Sequence, residues 1–158
     1  MQIRVANRQD EPVVRTISGQ ANIELGYPEL DLPGKDTDLM DIEAFYFWND
    51  GLFIVAEVEG EIVGLAGARR GENQETLELE RLIVVPARRH SGVAAEMVHV
   101  IEFFAANSQY KRIVFYPGTH GAKDQSPYAG FVKDEAKPER WIKTVSDEAL
   151  QIACKHPR

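Results

Sequence analysis

The chain has 158 residues, of which 44% are hydrophobic and 27% charged, and a formal net charge of −7. That size suits one domain over residues 1–158 with a core of its own, and the acidic balance argues against unspecific binding to nucleic acid, which needs a positive footprint. No apolar run reaches the length of a membrane span, and the N-terminus lacks the apolar centre of a signal peptide, so a soluble cytoplasmic protein is expected.

Ile3 to Ala6 alternates like a short strand. Asp10 is placed to cap a helix that starts at Glu11 or Pro12 and carries Val13, Val14 and Ile17. The Pro-, Gly- and Asp-rich stretch from Leu25 to Leu39 reads as a loop. Thr37 to Asn49 has Leu39, Ile42, Phe45 and Tyr46 at helical spacing and predicts a second helix. Gly51 to Gly71 contains two apolar runs joined at Gly60, the pattern of an antiparallel hairpin. Glu75 to Val85 is a longer strand. Val93 to Asn107 repeats apolar residues at Val93, Met97, Val100, Ile101 and Phe104, which predicts a helix. Arg112 to Pro117 and Arg140 to Val145 are further strands, with a loop over 118–127 between them and a short helix from Ser146 to Cys154 at the end. The fold class is therefore α/β (α+β): a mixed, mostly antiparallel sheet with flanking helices. The strand–helix–strand unit from Arg81 to Pro117 places its two strands parallel.

The sequence Leu82 to Met97, LIVVPARRHSGVAAEM, joins a strand to a helix through a tight turn. Such a turn leaves the first N–H groups of the helix without acceptors, and these groups and the helix dipole attract an anion. Gly92 removes a side chain where a phosphate would approach the backbone, Ala94 nearly does so, and Arg88 and Arg89 add positive charge. A solvated basic turn capped by Ser91 is the plainer alternative.

This stretch resembles the acetyl-CoA motif of the GNAT superfamily of N-acetyltransferases, roughly V-x-P-x-x-[RQ]-x-x-G-x-[GA], here filled by Val84, Pro86, Arg89, Gly92 and Ala94. The resemblance extends to the N-terminal helices, the hairpin around Gly60 and the late pair Gly130 and Phe131. It lacks the G-K-[ST] of a Walker loop and the three glycines of a dinucleotide fingerprint. What it implies is a splayed parallel strand pair that admits the pantetheine arm of acetyl-CoA. Backbone N–H groups of Arg89, His90, Ser91, Gly92, Val93 and Ala94 would hold the pyrophosphate, and Leu82, Ile83 and Val84 would offer strand backbone to the arm. His90 stands where the superfamily usually has Gly, and Ala94 replaces the commoner second Gly.

Acetyl transfer to an amine needs a proton acceptor for the amine and a proton donor for the thiolate. Alternation puts Glu78 and Glu80 on one face of their strand, with Glu80 expected to share that face with Leu82 and Val84. Glu80 matches the superfamily's usual base; a solvated face, or a pairing of Glu80 with Arg69, is the alternative. Tyr128 corresponds to the usual acid, although it lies closer to Gly130 than the superfamily pattern has it; Tyr116 is the second candidate. Asp36, Asp38, Asp41 and Glu43 could attract a cationic amine or simply form a solvated face. Nothing has metal-ligand spacing, so no metal is expected. The implied activity is transfer of an acetyl group from acetyl-CoA to an amine of a small molecule or peptide, by direct attack in a ternary complex. The alternative is an acetyl-CoA- or CoA-binding sensor without turnover. No nucleic acid or membrane partner is expected, and a homodimer, common among relatives, stays open.

Overall fold

The computed structural model describes residues 1–116 and 130–145. Its strands are β1 (Gln2–Val5), β2 (Leu52–Val58), β3 (Glu61–Arg70), β4 (Thr76–Val84), β5 (Arg112–Phe115), β6 (Val132–Lys133) and β7 (Trp141–Thr144). Its α-helices are α1 (Glu11–Glu24), α2 (Ile42–Phe45) and α3 (Val93–Asn107). The strands form one sheet in the order β1-β2-β3-β4-β5-β7-β6, in which only β4 and β5 run parallel. The mixed, mostly antiparallel sheet expected from the sequence is what forms. The short strand β6 was not foreseen. The helix expected from Ser146 and the loop over 118–127 lie outside the described residues.

Each face of the sheet has its own core. On one side α3 buries Val93, Met97, Ile101 and Phe104 against Leu77, Leu79 and Leu82 of β4. On the other, Val14 and Ile17 of α1 meet Leu39, Ile42 and Tyr46, together with Phe53, Leu65 and Ile83 of the sheet. Val13, grouped with Val14 by sequence, points to solvent. Glu59 and Gly60 both take positive φ at the β2–β3 hairpin, the geometry a two-residue turn of the primed type demands.

Two expectations give way to ion pairs. Asp10 precedes α1 but makes no capping bond to it. Its carboxylate takes both Nη atoms of Arg4, at 2.8 and 2.9 Å, and the Asn7 N–H at 2.8 Å, which fastens the start of α1 to β1. Residues 37–49 do not form one helix. They break into the 3-10 turn Thr37–Met40, the single turn α2 and the 3-10 turn Phe47–Asn49. Asp41 interrupts with an extended backbone, and its side chain accepts from the Ala44 N–H at 3.1 Å to start α2 afresh.

β4 holds the feature that positions the rest. Gly67 of β3 faces Arg81, yet the next residue, Ala68, faces Leu79. Glu80 is thus the extra residue of a β-bulge. The bulge reverses the alternation: Leu77 and Leu79 face α3 before it, Leu82 faces α3 after it, and Glu80 and Arg81 both turn towards α1 and α2. The expectation that Glu80 shares a face with Leu82 and Val84 is corrected by this one residue.

Arg81 is 1% exposed. Its Nε and Nη2 each reach Asp38 at 2.7 Å, and Nη2 reaches Asp36 at 2.8 Å. Asp36 also accepts from the Asp31 N–H at 2.9 Å and from Asn22 Nδ2 at 3.2 Å, and Asp38 accepts from the Tyr46 hydroxyl. Burial works against the charge of Asp36, but the Asp31 N–H and Arg81 hold its carboxyl below the usual range. Asp36 and Asp38 are therefore neither a solvated face nor a free cation trap.

Beside this socket there is no room for another carbon. A Cβ on Gly67 would sit 2.6 Å from Phe53 Cδ2 and 2.8 Å from Tyr46 Cε1, both parts of packed rings. Gly67→Ala should cost about 1–3 kcal/mol of stability through overpacking, read as a lower denaturant midpoint with an unchanged slope.

Candidate active site

The β4–β5 pairing runs from Thr76 opposite Arg112 to Leu79 opposite Phe115 and stops there. β4 continues to Val84, paired among the described residues only with β3. Among the described residues nothing pairs with the backbone of Leu82 and Val84 on the β5 side, and the β4–β5 ladder ends one residue before the bulge at Glu80.

Glu78 and Glu80 project to the same side at this end of the ladder, as expected. Arg69 of β3 binds Glu80, Nε to Oε1 at 3.0 Å, and lies over the Phe45 ring at 4.3 Å from its centroid. Glu78 is half-buried, and the attraction of Arg69 and Arg140 for its carboxylate does not offset that burial. Burial first, then a hydrogen bond with Glu80 and repulsion from it, push the Glu78 carboxyl up to about 7. The two carboxyls have become unlike: Glu80 is tied to a guanidinium, and Glu78 favours its proton. The pairing of Glu80 with Arg69, which the sequence offered as the alternative to a base, is what forms, whereas the raised carboxyl of Glu78 was not foreseen.

The tyrosines divide as well. Tyr128 lies outside the described residues. Tyr116 directly follows β5 and shares a hydrogen bond with Arg140, whose guanidinium also binds Glu72 and Asp134. Burial first, then the neighbouring Asp38 carboxylate, raise the Tyr46 hydroxyl well above its ordinary range, so Tyr46 keeps its proton.

Past Val84 the chain makes the 3-10 turn Pro86–Arg88 and then enters α3 through His90 at φ 63° and Gly92 at φ 89°. Gly92 stands at the N-cap with no side-chain bond to the helix, and a Cβ there would meet nothing within 4 Å. Ser91 does not cap α3; its hydroxyl donates to the Arg88 carbonyl. Among the described residues no side chain caps the first N–H groups of α3. Arg88, His90 and Ser91 are exposed. Arg89 donates through Nε to the Val84 carbonyl at 3.1 Å and binds Glu24 at the end of α1 through both Nη atoms. A cavity of about 270 Å³ between α1 and the end of β4 is lined by Gln20, Glu24, Ile83, Val84, Pro86 and Arg89. Among the described residues no cluster of three or more His, Cys, Asp or Glu could hold a metal ion, and no helix is long and apolar enough to cross a membrane.

The Acetyltransferase (GNAT) family model matches residues 23–126, a span that includes α3, the parallel strands and the turn between them. The chain belongs to the GNAT family of N-acetyltransferases. GNAT relatives include the N-acetylaspartate synthetases of Xenopus tropicalis, 36% identical, and Homo sapiens, 35% identical, each over 88 residues. The alignments cover 55% of this chain but only 32% and 28% of those proteins, so the chain spans about a third of their length. Among solved structures, a GNAT acetyltransferase from Staphylococcus aureus Mu50 superposes with a TM-score of 0.78 at 17% identity, over 92% of this chain and 99% of that one. A GNAT acetyltransferase from Brucella melitensis in complex with acetyl-CoA superposes with a TM-score of 0.69 at 18% identity, over 92% and 88% of the two chains. These likenesses establish the GNAT fold.

The unequal carboxyls give a pH signature. Glu78 binds its proton more tightly in the folded chain, so the resulting stability is present below about 4.5 and is lost as the pH rises through about 7. Glu78→Gln has no proton to lose. It should melt like wild type near pH 4 and be more stable above neutrality. The gain should be about 1 kcal/mol, because solvent reaches half of the group and screens the effect. Thermal melts across that range check it; a constant offset at every pH would contradict it.

Proposed function

We propose that residues 1–158 act as one acetyltransferase domain that moves the acetyl group of acetyl-CoA to an amine by direct attack in a ternary complex. The observation that carries this reading is the continuity of the β4 edge, unpaired on the β5 side beyond Leu79 among the described residues, with the start of α3, which no side chain caps among them. An extended pantetheine arm fits the first as an added strand, and a pyrophosphate fits the second. Leu82, Ile83 and Val84 offer the strand backbone. The N–H groups of Arg89, His90, Ser91, Gly92, Val93 and Ala94 surround the phosphates. Known GNAT structures in complex with acetyl-CoA or CoA support the choice of cosubstrate.

The chemistry falls at the bulge. A substrate amine has a pKa near ~10 and arrives protonated. Glu80, directly or through a water, takes that proton. The free amine attacks the thioester carbonyl, the C–S bond breaks, Tyr128 protonates the departing thiolate, and the nitrogen's second proton leaves through water, which reprotonates Tyr128, giving an amide and free CoA. An amino-acid amine such as that of aspartate is the first acceptor to test, given the N-acetylaspartate synthetases among the relatives. The Arg69–Glu80 bridge favours one further reading, a CoA-binding sensor, since the bridge already occupies the carboxylate that would have to reach the amine.

Thiol release from acetyl-CoA in the presence of L-aspartate, polyamines, aminoglycosides and peptide amines separates the two readings. Calorimetric binding without release from any of them would leave the sensor. Gly92→Trp should abolish acetyl-CoA binding, because the indole enters the space at the helix start in addition to straining a left-handed φ of 89°, and Gly92→Ala, which adds the strain without the bulk, should lose less; circular dichroism checks that both stay folded, and unchanged affinity in Gly92→Trp would remove the pyrophosphate from this turn.

Glu80→Gln should lower kcat/KM by about 10²-fold at neutral pH, as expected for loss of one general base. Part of the loss should return as the pH rises and free amine accumulates. Superimposable pH profiles for wild type and variant would remove the base role.

A further inference from the structure

The apolar spacing of β4 requires an extra residue between Leu79 and Leu82, because both must face α3. It does not decide which of the two residues in between turns inward and which stays at the cleft. Glu80 and Arg81 are both long, polar and on the same side of the sheet. In the structure Arg81 is fully sunk and Glu80 is partly exposed beside Arg69, with side-chain exposures of 2% and 24%.

We propose that Arg81 is a positioning residue for acetyl transfer: by sinking into the socket made by Asp36 and Asp38, it leaves Glu80 as the bulge side chain that faces the cleft. This inference rests on the reading of Glu80 as the base. Three observations support it. The socket comes from the loop between α1 and α2 and not from a neighbouring strand, so it fixes Arg81 from outside the sheet. Asp36 is itself held by Asp31 and Asn22, and Asp38 by Tyr46, so neither aspartate is free to follow Arg81 elsewhere. The site is also not one that packing alone would select. Arg81 Nη1 and Ser18 Oγ are buried with no hydrogen-bond partner among the described residues. An apolar side chain would avoid that cost, and buried ion pairs are generally replaceable by apolar groups without loss of stability.

The role also joins two walls of the cleft. The loop that carries Asp36 and Asp38 leads through Tyr46 and α2 to Phe45, on which Arg69 rests while it binds Glu80. Arg81 from below and Arg69 from the side thus bound the space left to the Glu80 carboxylate.

Arg81→Ala alone would leave two buried aspartates without their cation and could fail to fold. The test therefore uses the charge-neutral triple variant Asp36→Asn/Asp38→Asn/Arg81→Met, which keeps an acceptor oxygen for Tyr46, Asp31 and Asn22. Three quantities are read. The first is thermal stability together with acetyl-CoA affinity. The second is the NMR titration of the Glu78 and Glu80 carboxyl carbons, with cross-strand contacts of Gly67 and Ala68. The third is acetyl-CoA turnover with L-aspartate, spermidine and an alanyl peptide, in backgrounds with and without Glu80→Gln. We expect a folded variant with acetyl-CoA affinity within about twofold of wild type, altered Glu80 titration or Gly67 contacts, and kcat lower by about 10–100-fold. We also expect no further loss in the Glu80→Gln background, because Arg81 acts only through Glu80. A folded variant whose carboxyl titrations and cross-strand contacts match wild type would overturn the proposal, as would a loss of kcat that adds in full to that of Glu80→Gln. The NMR readout needs no turnover. If Glu80→Gln alone were fully active, the base reading would fall, and the titration would still show separately whether Arg81 directs Glu80.

Discussion

A guanidinium cannot be buried alone, and the groups that neutralise Arg81 come from a loop far from it in sequence. Removing one partner of such a pair leaves an uncompensated charge and typically costs about 3–5 kcal/mol, whereas the intact pair adds little net stability. The constraint is thus one-sided. It does little to hold the fold together, yet it allows hardly any deviation in how the loop from Asp31 to Met40 meets β4. The broken helix over residues 37–49 follows from it. Asp38 must face Arg81, Leu39 and Ile42 must enter the core, and Asp41 must start a new turn. One continuous helix could not present these residues in those directions.

The same ion pairs explain where sequence reasoning succeeded and where it did not. Elements set by local rules were legible. Gly60 marked its hairpin, and the spacing of Val93, Met97, Ile101 and Phe104 marked α3, because turn chemistry and helical period act within a few residues. Elements set by partners on other elements were not. Asp10 has the residue type and position of a cap, but Arg4 on the neighbouring strand, six residues away, offers it two charged donors, which outweigh a single helix N–H. Residues 37–49 have helical spacing, but Asp38 is committed to Arg81, 43 residues further on, and Asp41 restarts the chain at α2.

The bulge lies between these cases. Leu77, Leu79 and Leu82 do not keep the two-residue period, and in a strand with one face on a helix that break is itself a bulge signal. The alternation of Glu78 and Glu80 was correct up to that point, and extending it to Leu82 and Val84 was not. Candidate side chains near a bulge need this correction most. A slip of one residue moves a carboxylate from one face of a sheet to the other, and with it any chemistry assigned to that carboxylate.

The two ends of β4 then differ in what they can tolerate. At the turn, an anion would be held by backbone N–H groups whose direction depends on φ and ψ, so His90 in place of glycine costs little as long as it adopts φ 63° and leaves Gly92 its left-handed geometry. The positive charge of Arg89 is partly neutralised by Glu24, which leaves the fixed N–H groups as the main attraction. A short motif therefore suffices to recognise this end, because backbone geometry restricts which residues fit. At the bulge, the chemistry depends on side chains whose directions are set by residues on three other elements: Arg69 on β3, Phe45 on α2, and Asp36 and Asp38 on the preceding loop. No short motif can encode that arrangement. The backbone geometry of the turn was accordingly legible in one stretch of sequence, whereas the surroundings of Glu80 became legible only once the sheet had been assembled.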